Sequence, residues 1–235
     1  MKQNLRNIGR IAAFTMASAA FAADPAGKLV IQAYEDTLGR APNRIEYNTW
    51  LNYAKAGGSR TQFAAYLTSS AEYRGRLAEG WYQQFLARDA TAGELNFAGQ
   101  MMMNGASDKE MRAILIGLDE YYRRAGGSNE RFVHQLYADL LGRAPTPAEA
   151  NAIIAVLVSN NLIGLLQQQA AMLVQGTVEF EQRQLTDIYQ KYLRRNPYTA
   201  ELNFGVQMLL MDVPEEFEID KVMGSDEYLN FANHN

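Results

Sequence analysis

Cysteine is absent from the 235-residue chain and histidine occurs only twice, which excludes a disulfide scaffold, thiol chemistry and a three-histidine metal site. The two histidines have no triad context, because His134 sits beside Phe132 and Val133 and His234 lies among the last residues. No phosphate loop, metal motif or nucleophile elbow occurs. With 48% hydrophobic and 20% charged residues, the chain is too apolar for a disordered polyelectrolyte and too evenly patterned for a polytopic membrane protein. What is left is a globular chain whose length allows one or two domains.

The first 22 residues read as a segment outside the fold. Lys2, Arg6 and Arg10 form a basic start without an acid, Ile11 to Ala22 is apolar and small, and Ala20-Phe21-Ala22 is a cleavage site of the A-x-A type. The apolar run is too short to span a bilayer, which takes about 20 residues. Removing 1–22 takes away three positive charges and leaves 213 residues, moving the net charge from −4 to −7. An acidic exported chain is a poor partner for nucleic acid, where phosphate contacts need clustered Lys and Arg.

What is there in abundance is repetition. Tyr34, Tyr82, Tyr137 and Tyr189 each open the same pattern: Leu four residues on, Arg six on (Arg40, Arg88, Arg143, Arg195), Glu twelve on (Glu46, Glu94, Glu149, Glu201) and Asn fourteen on (Asn48, Asn96, Asn151, Asn203). Each copy closes on Glu and an aromatic: Glu72-Tyr73, Glu120-Tyr121, Glu179-Phe180 and Glu227-Tyr228. The closing aromatic follows the opening Tyr by 39 residues in copies 1, 2 and 4 and by 43 in copy 3. The four extra residues, between Ala152 and Thr177, amount to about one helical turn.

Within a copy the spacing is helical throughout. In copy 2, Trp81, Tyr82, Phe85 and Leu86 share one helix face. Thr91 with Glu94 and Ser107 with Glu110 are capping boxes that start two further helices. Leu95, Ala98, Met101 and Met102 give the second helix its apolar stripe, and Met111, Ile114, Leu115 and Leu118 give the third helix its face. Asn43 with Glu46, Ser59 with Gln62, and Thr146-Pro147 with Glu149 repeat the start signals, whereas copy 4 has Tyr198 at the cap. No stretch alternates with period two. The expected fold is all-α: four tandem three-helix units in two paired halves. These are 23–125, with units 29–75 and 77–124, and 126–235, with units 129–182 and 184–230. Ala125-Gly126-Gly127-Ser128 is the joint.

A catalytic constellation has no reason to appear four times, so the repeated Tyr, Arg, Glu and Asn read as a brace locking each inter-helix elbow. The arginine folds back onto the glutamate or onto the first helix's last carbonyls. Adjacent apolar residues on a helix cannot all face one core, since neighbours differ by about 100°. Met101, Met102, Met103, Met208, Leu209 and Met211 are therefore either buried between stacked units or a candidate interaction patch that meets a partner.

The words Tyr-x-x-x-Leu-Gly-Arg-Ala-Pro, then Trp50, Gly57-Gly58-Ser59 and Ser69-Ser70-Ala71-Glu72-Tyr73, resemble the domain-of-unknown-function repeat of bacterial exported and surface-layer proteins. That repeat is in turn similar to the phycobilisome linker domain. Copy 1 matches best. Copies 2 and 4 depart by having Ala87 and Arg194 in place of the glycine after Leu, and the whole likeness covers roughly residues 29–230. The resemblance implies a helical module that holds other proteins in a large assembly, with no catalytic residues to carry over. The resulting expectation is a periplasmic or secreted, non-enzymatic scaffold subunit without cofactor or metal. Its partners are other proteins, either of a membrane complex on its periplasmic side or of a surface layer. The rival readings are a cell-wall glycan enzyme using glutamates between the halves and a carrier of an apolar ligand.

Overall fold

The computed structural model describes residues 24–159 and 163–234. The expected export segment, 1–22, lies outside them. The described residues contain fourteen α-helices and no strand, so the chain is all-α as its patterning predicts. Copy 1 supplies α1 (Pro25–Leu38), α2 (Arg44–Lys55), α3 (Arg60–Thr68) and the start of α4 (Ala71–Trp81), which runs on into a π-helical turn, Tyr82–Leu86. Copy 2 continues with α5 (Ala92–Met103), α6 (Asp108–Ile116) and α7 (Asp119–Arg124). Copy 3 has α8 (Asn129–Leu141), α9 (Pro147–Leu157) and α10 (Ile163–Gln175), and α11 (Val178–Leu193) carries it into copy 4. The chain ends with α12 (Thr199–Leu210), α13 (Glu215–Met223) and α14 (Asp226–His234).

Two expectations change here. The closing Glu-aromatic pair does not end a third helix; it opens a fourth. Ser70 accepts from the Tyr73 amide at 3.1 Å and Thr177 from that of Phe180 at 3.3 Å. No helix breaker follows, so α4 and α11 run straight through the expected unit boundaries at 75/77 and 182/184. Only between α7 and α8 does the chain stop, where Gly126 and Gly127 take φ of 106° and 70°. The four extra residues of copy 3 are one added helical turn: α10 has 13 residues where α3, α6 and α13 have 9.

The second change concerns the domains. The chain forms two compact units, one of residues 24–68, 191–193 and 219–234, the other of 69–159, 163–190 and 194–218. These do not coincide with the halves 23–125 and 126–235. The reason lies in the first unit, where the last helix closes on the first. Tyr228, fully buried on α14, donates to Asp36 Oδ2 on α1 at 2.9 Å, and Lys28 Nζ donates to the Asn233 carbonyl at 2.8 Å. Val30, Tyr34, Leu67 and Tyr192 fill the core, and Trp50 lies 4.4 Å from Phe63 and 4.8 Å from Tyr66 between ring centroids. The second unit centres on Phe85, Tyr121, Phe132 and Phe180, none of them exposed, with Tyr121 edge-on to Phe132 at 5.7 Å. No helix among the described residues is long and apolar enough to cross a membrane.

Candidate functional site

The repeated elbow is built the same way four times. After each first helix the backbone turns left-handed, at Gly39, Ala87, Gly142 and Arg194, with φ between 54° and 70°. Ala87 and Arg194 accept a conformation that costs a side-chain-bearing residue about 1–2 kcal/mol, so the register is kept even where glycine is not. The next arginine then clasps the glutamate with both terminal nitrogens: Arg40 on Glu46 at 2.8 and 2.9 Å, Arg88 on Glu94 at 3.0 and 2.8 Å, Arg143 on Glu149 at 3.0 and 2.7 Å, and Arg195 on Glu201 at 2.8 and 2.9 Å. The guanidinium also lies over the opening tyrosine of its copy, 5.2–5.4 Å from the rings of Tyr34, Tyr82, Tyr137 and Tyr189. The glutamate completes the cap, accepting at 2.7 Å from the amides of Asn43, Thr91, Thr146 and Tyr198. Tyr198 cannot return a cap bond, and instead its exposed ring carries Arg195 at 4.2 Å.

Sequence reasoning missed a second carboxylate on two of these arginines. The closing Glu120 accepts from Arg88 at 2.7 and 2.9 Å, and Glu179 from Arg143 at 2.6 Å through both oxygens. The signal was present in the repeated Glu-aromatic closure. Conversely, one residue of the set is not in the brace. Asn48, Asn96, Asn151 and Asn203 are all exposed and make no hydrogen bond among the described residues.

The arginines hold Glu94 and Glu149 down at about pKa 2, against burial and assisted by the cap amides, and lower Glu46, Glu120 and Glu179 as well. A carboxylate depressed in the folded state stabilises fully above its unfolded pKa, and that contribution is lost as pH falls toward the folded value. Burial has the opposite effect on Glu181, Asp139 and Asp187, whose raised pKa makes folding more favourable as pH falls toward 4. Thermal melts followed by circular dichroism should therefore show highest stability in mildly acid solution and a steep loss between about pH 4 and pH 2. Arg88→Gln should flatten part of that loss.

The candidate patch divides. Met102 and Leu209 are buried at 7% and 1% exposure, Met101 and Met208 are half-buried, and Met103 and Met211 project at 68% and 67%. The solvent face of α5 instead carries Asn96, Phe97, Gln100 and Met103, and that of α12 carries the matching Asn203, Phe204, Gln207 and Leu210. Phe97 and Phe204 are half exposed, at 49% and 50%. In α2 and α9 the residues corresponding to these phenylalanines are Thr49 and Ala152, also exposed.

A buried ionic network in the second unit was not foreseen. Lys109 pairs with the fully buried Glu181 at 2.6 Å and donates to the Leu209 carbonyl at 3.0 Å. Gln175 Nε2 donates to the Lys109 carbonyl, and Gln175 Oε1 accepts from Arg112 Nε at 2.9 Å. A second nitrogen of Arg112 bonds Glu215. The periodicity of α6 suggests one apolar face, but Arg112 and Ile116 are buried along with Met111 and Leu115, while Leu118, beyond its end, is exposed. No group of three acids or histidines among the described residues is arranged to hold a metal ion. Comparison with known protein families, curated proteins and solved structures finds no match to the chain.

Proposed function

We propose that the protein is an exported, non-enzymatic scaffold, a linker-like subunit that holds other proteins in a larger assembly. The assembly is either a membrane complex docked from its periplasmic side or a surface layer. The observation that carries this reading is the asparagine at the same exposed position in all four copies. Tyr, Arg and Glu of the set are consumed in bracing the elbow, whereas the asparagine makes no hydrogen bond among the described residues that explains its recurrence. A residue kept through four copies without a structural task is best accounted for by something it meets outside the chain. In α5 and α12 it is flanked by a half-exposed phenylalanine, an apolar aromatic of the kind enriched at protein interfaces. The repeated elbow supplies rigidity, so the surfaces are presented on fixed helices.

The test is the native chain in its own cell extract. Size-exclusion chromatography with quantitative mass spectrometry should place it in a complex of defined stoichiometry, well above its own 26.3 kDa. Phe97→Asp with Phe204→Asp should release it as a monomer. Because both side chains are half exposed, melting should shift by little, within about 0.5 kcal/mol of stability. A chain that is monomeric in membrane, periplasmic and medium fractions alike would overturn the proposal.

A further inference from the structure

Arg112 breaks the rule of its own repeat. The corresponding positions in α3, α10 and α13 are Ala64, Ala171 and Ile219, all buried apolar residues, yet Arg112 is equally buried at 5% exposure. Its guanidinium carbon lies 5.5 Å from the Trp81 ring centroid and 5.4 Å from that of Phe180. Nε and Nη2 are occupied by Gln175 and Glu215. Nη1 has no hydrogen-bond partner among the described residues, and Arg112 lines a cleft of about 140 Å³ within the second unit. Departures from local consistency of this kind concentrate at functional sites.

The rest of the cleft has matched charge. Arg183, on α11, also lines it and makes no hydrogen bond among the described residues. Its guanidinium lies over Gly142, where a Cβ would come within 2.2 Å of Nη1, so the glycine that turns the elbow also makes room for this cation. Opposite in sign are Asp139 and Asp187. Asp139 is fixed in place by Tyr121 at 2.9 Å and Gln135 at 2.8 Å, and burial raises the pKa of both aspartates. Trp81 and Phe85, the latter on the π-helical turn, back the cleft from the core, so its accessible surface is almost wholly polar; single π turns recur at functional sites.

Two cations and two anions around a hollow close in size to the ~150 Å³ cavity that takes a benzene set the ligand's chemistry. A simple anion would meet two aspartates and a simple cation two arginines. We propose that this cleft binds a small zwitterion, a free α-amino acid. Its carboxylate would be taken by Arg112 Nη1 and Arg183, and its ammonium by Asp139 and Asp187. The site is independent of the exposed asparagine faces.

Isothermal titration of the full chain with glycine and L-alanine should give dissociation constants on the order of 0.1 mM, as the atom count of such ligands allows. Trp81 fluorescence should change in parallel and lose that response in Trp81→Phe. Acetate and methylammonium should bind at least tenfold more weakly. Arg183→Gln and Asp187→Asn should each weaken glycine about tenfold; Asp187→Asn removes a carboxylate whose charge burial disfavours and should melt no lower than the parent, so its loss of binding is not a loss of fold, whereas Arg112 is left intact because it also holds Glu215. Acetate binding as tightly as glycine, indifference to Asp187→Asn, or no heat with any probe at about 10 mM would each overturn the proposal.

Discussion

Lys109→Met lowers stability at neutral pH by about 3–5 kcal/mol, because it leaves the Glu181 carboxylate buried without its cation. Lys109 is 14% exposed and Glu181 not at all, so water cannot replace the lost ammonium. The Leu209 carbonyl loses its donor as well. The second ion pair of Lys109, with the exposed Asp212 at 3.4 Å, adds little. The sign with pH is fixed by Glu181. Burial already raises its pKa against the pull of Lys109, and without Lys109 it rises further. A carboxyl raised in the folded state destabilises less as pH falls toward its unfolded value, so the cost of Lys109→Met shrinks in acid. Replacing both partners, Lys109→Met with Glu181→Leu, should recover most of the loss, since a buried pair exchanged for apolar groups is often neutral. In a chain of this size the single substitution corresponds to a fall of about 10 °C in melting temperature, read by circular dichroism at pH 7 and repeated at pH 5. A single variant that melts like the parent at pH 7 would mean that Glu181 is already neutral there and that the pair is no ion pair.

The elbows were legible because their chemistry is local. Arg40 and Glu46 are six residues apart, and the helix start between them fixes their meeting by cap geometry, so the sequence spacing contains the contact. The extra turn of α10 was legible for the same reason, as a count along one helix. What was not legible has two causes. The run from Ala71 to Leu86 has a start signal at Ser70 but no stop signal before the left-handed Ala87, and a repeat period by itself does not say where helices begin. Arg112 meets Gln175 and Lys109 meets Glu181 across separations of dozens of residues, and single-chain periodicity carries no term for such pairing. Even so, setting the four copies side by side marks Arg112, since it stands among two alanines and an isoleucine. The same comparison separates the asparagine from the other repeated residues only once its exposure is known.

Tyr121→Ala and Tyr228→Ala should each lower stability by about 3–5 kcal/mol, the cost of emptying a fully buried aromatic position. The two positions correspond in copies 2 and 4, and their hydroxyls do the same thing. Tyr121 donates to Asp139, two residues after the opening Tyr137, and Tyr228 donates to Asp36, two residues after the opening Tyr34. Copy 4 thus closes on copy 1 as copy 2 closes on copy 3. This correspondence explains why a cut at the glycine joint does not reproduce the compact units. Tyr121→Phe separates the two contributions: Asp139 keeps its bond from Gln135, so the loss should be only about 1 kcal/mol. Phe97→Ala, at a half-exposed position, is the control and should stay within about 0.5 kcal/mol of the parent. Urea titration of the four variants measures all of these differences on one scale. If Tyr228→Ala behaved like Phe97→Ala, α14 would not be packed on α1, and the first unit would lose the contact that joins its two ends.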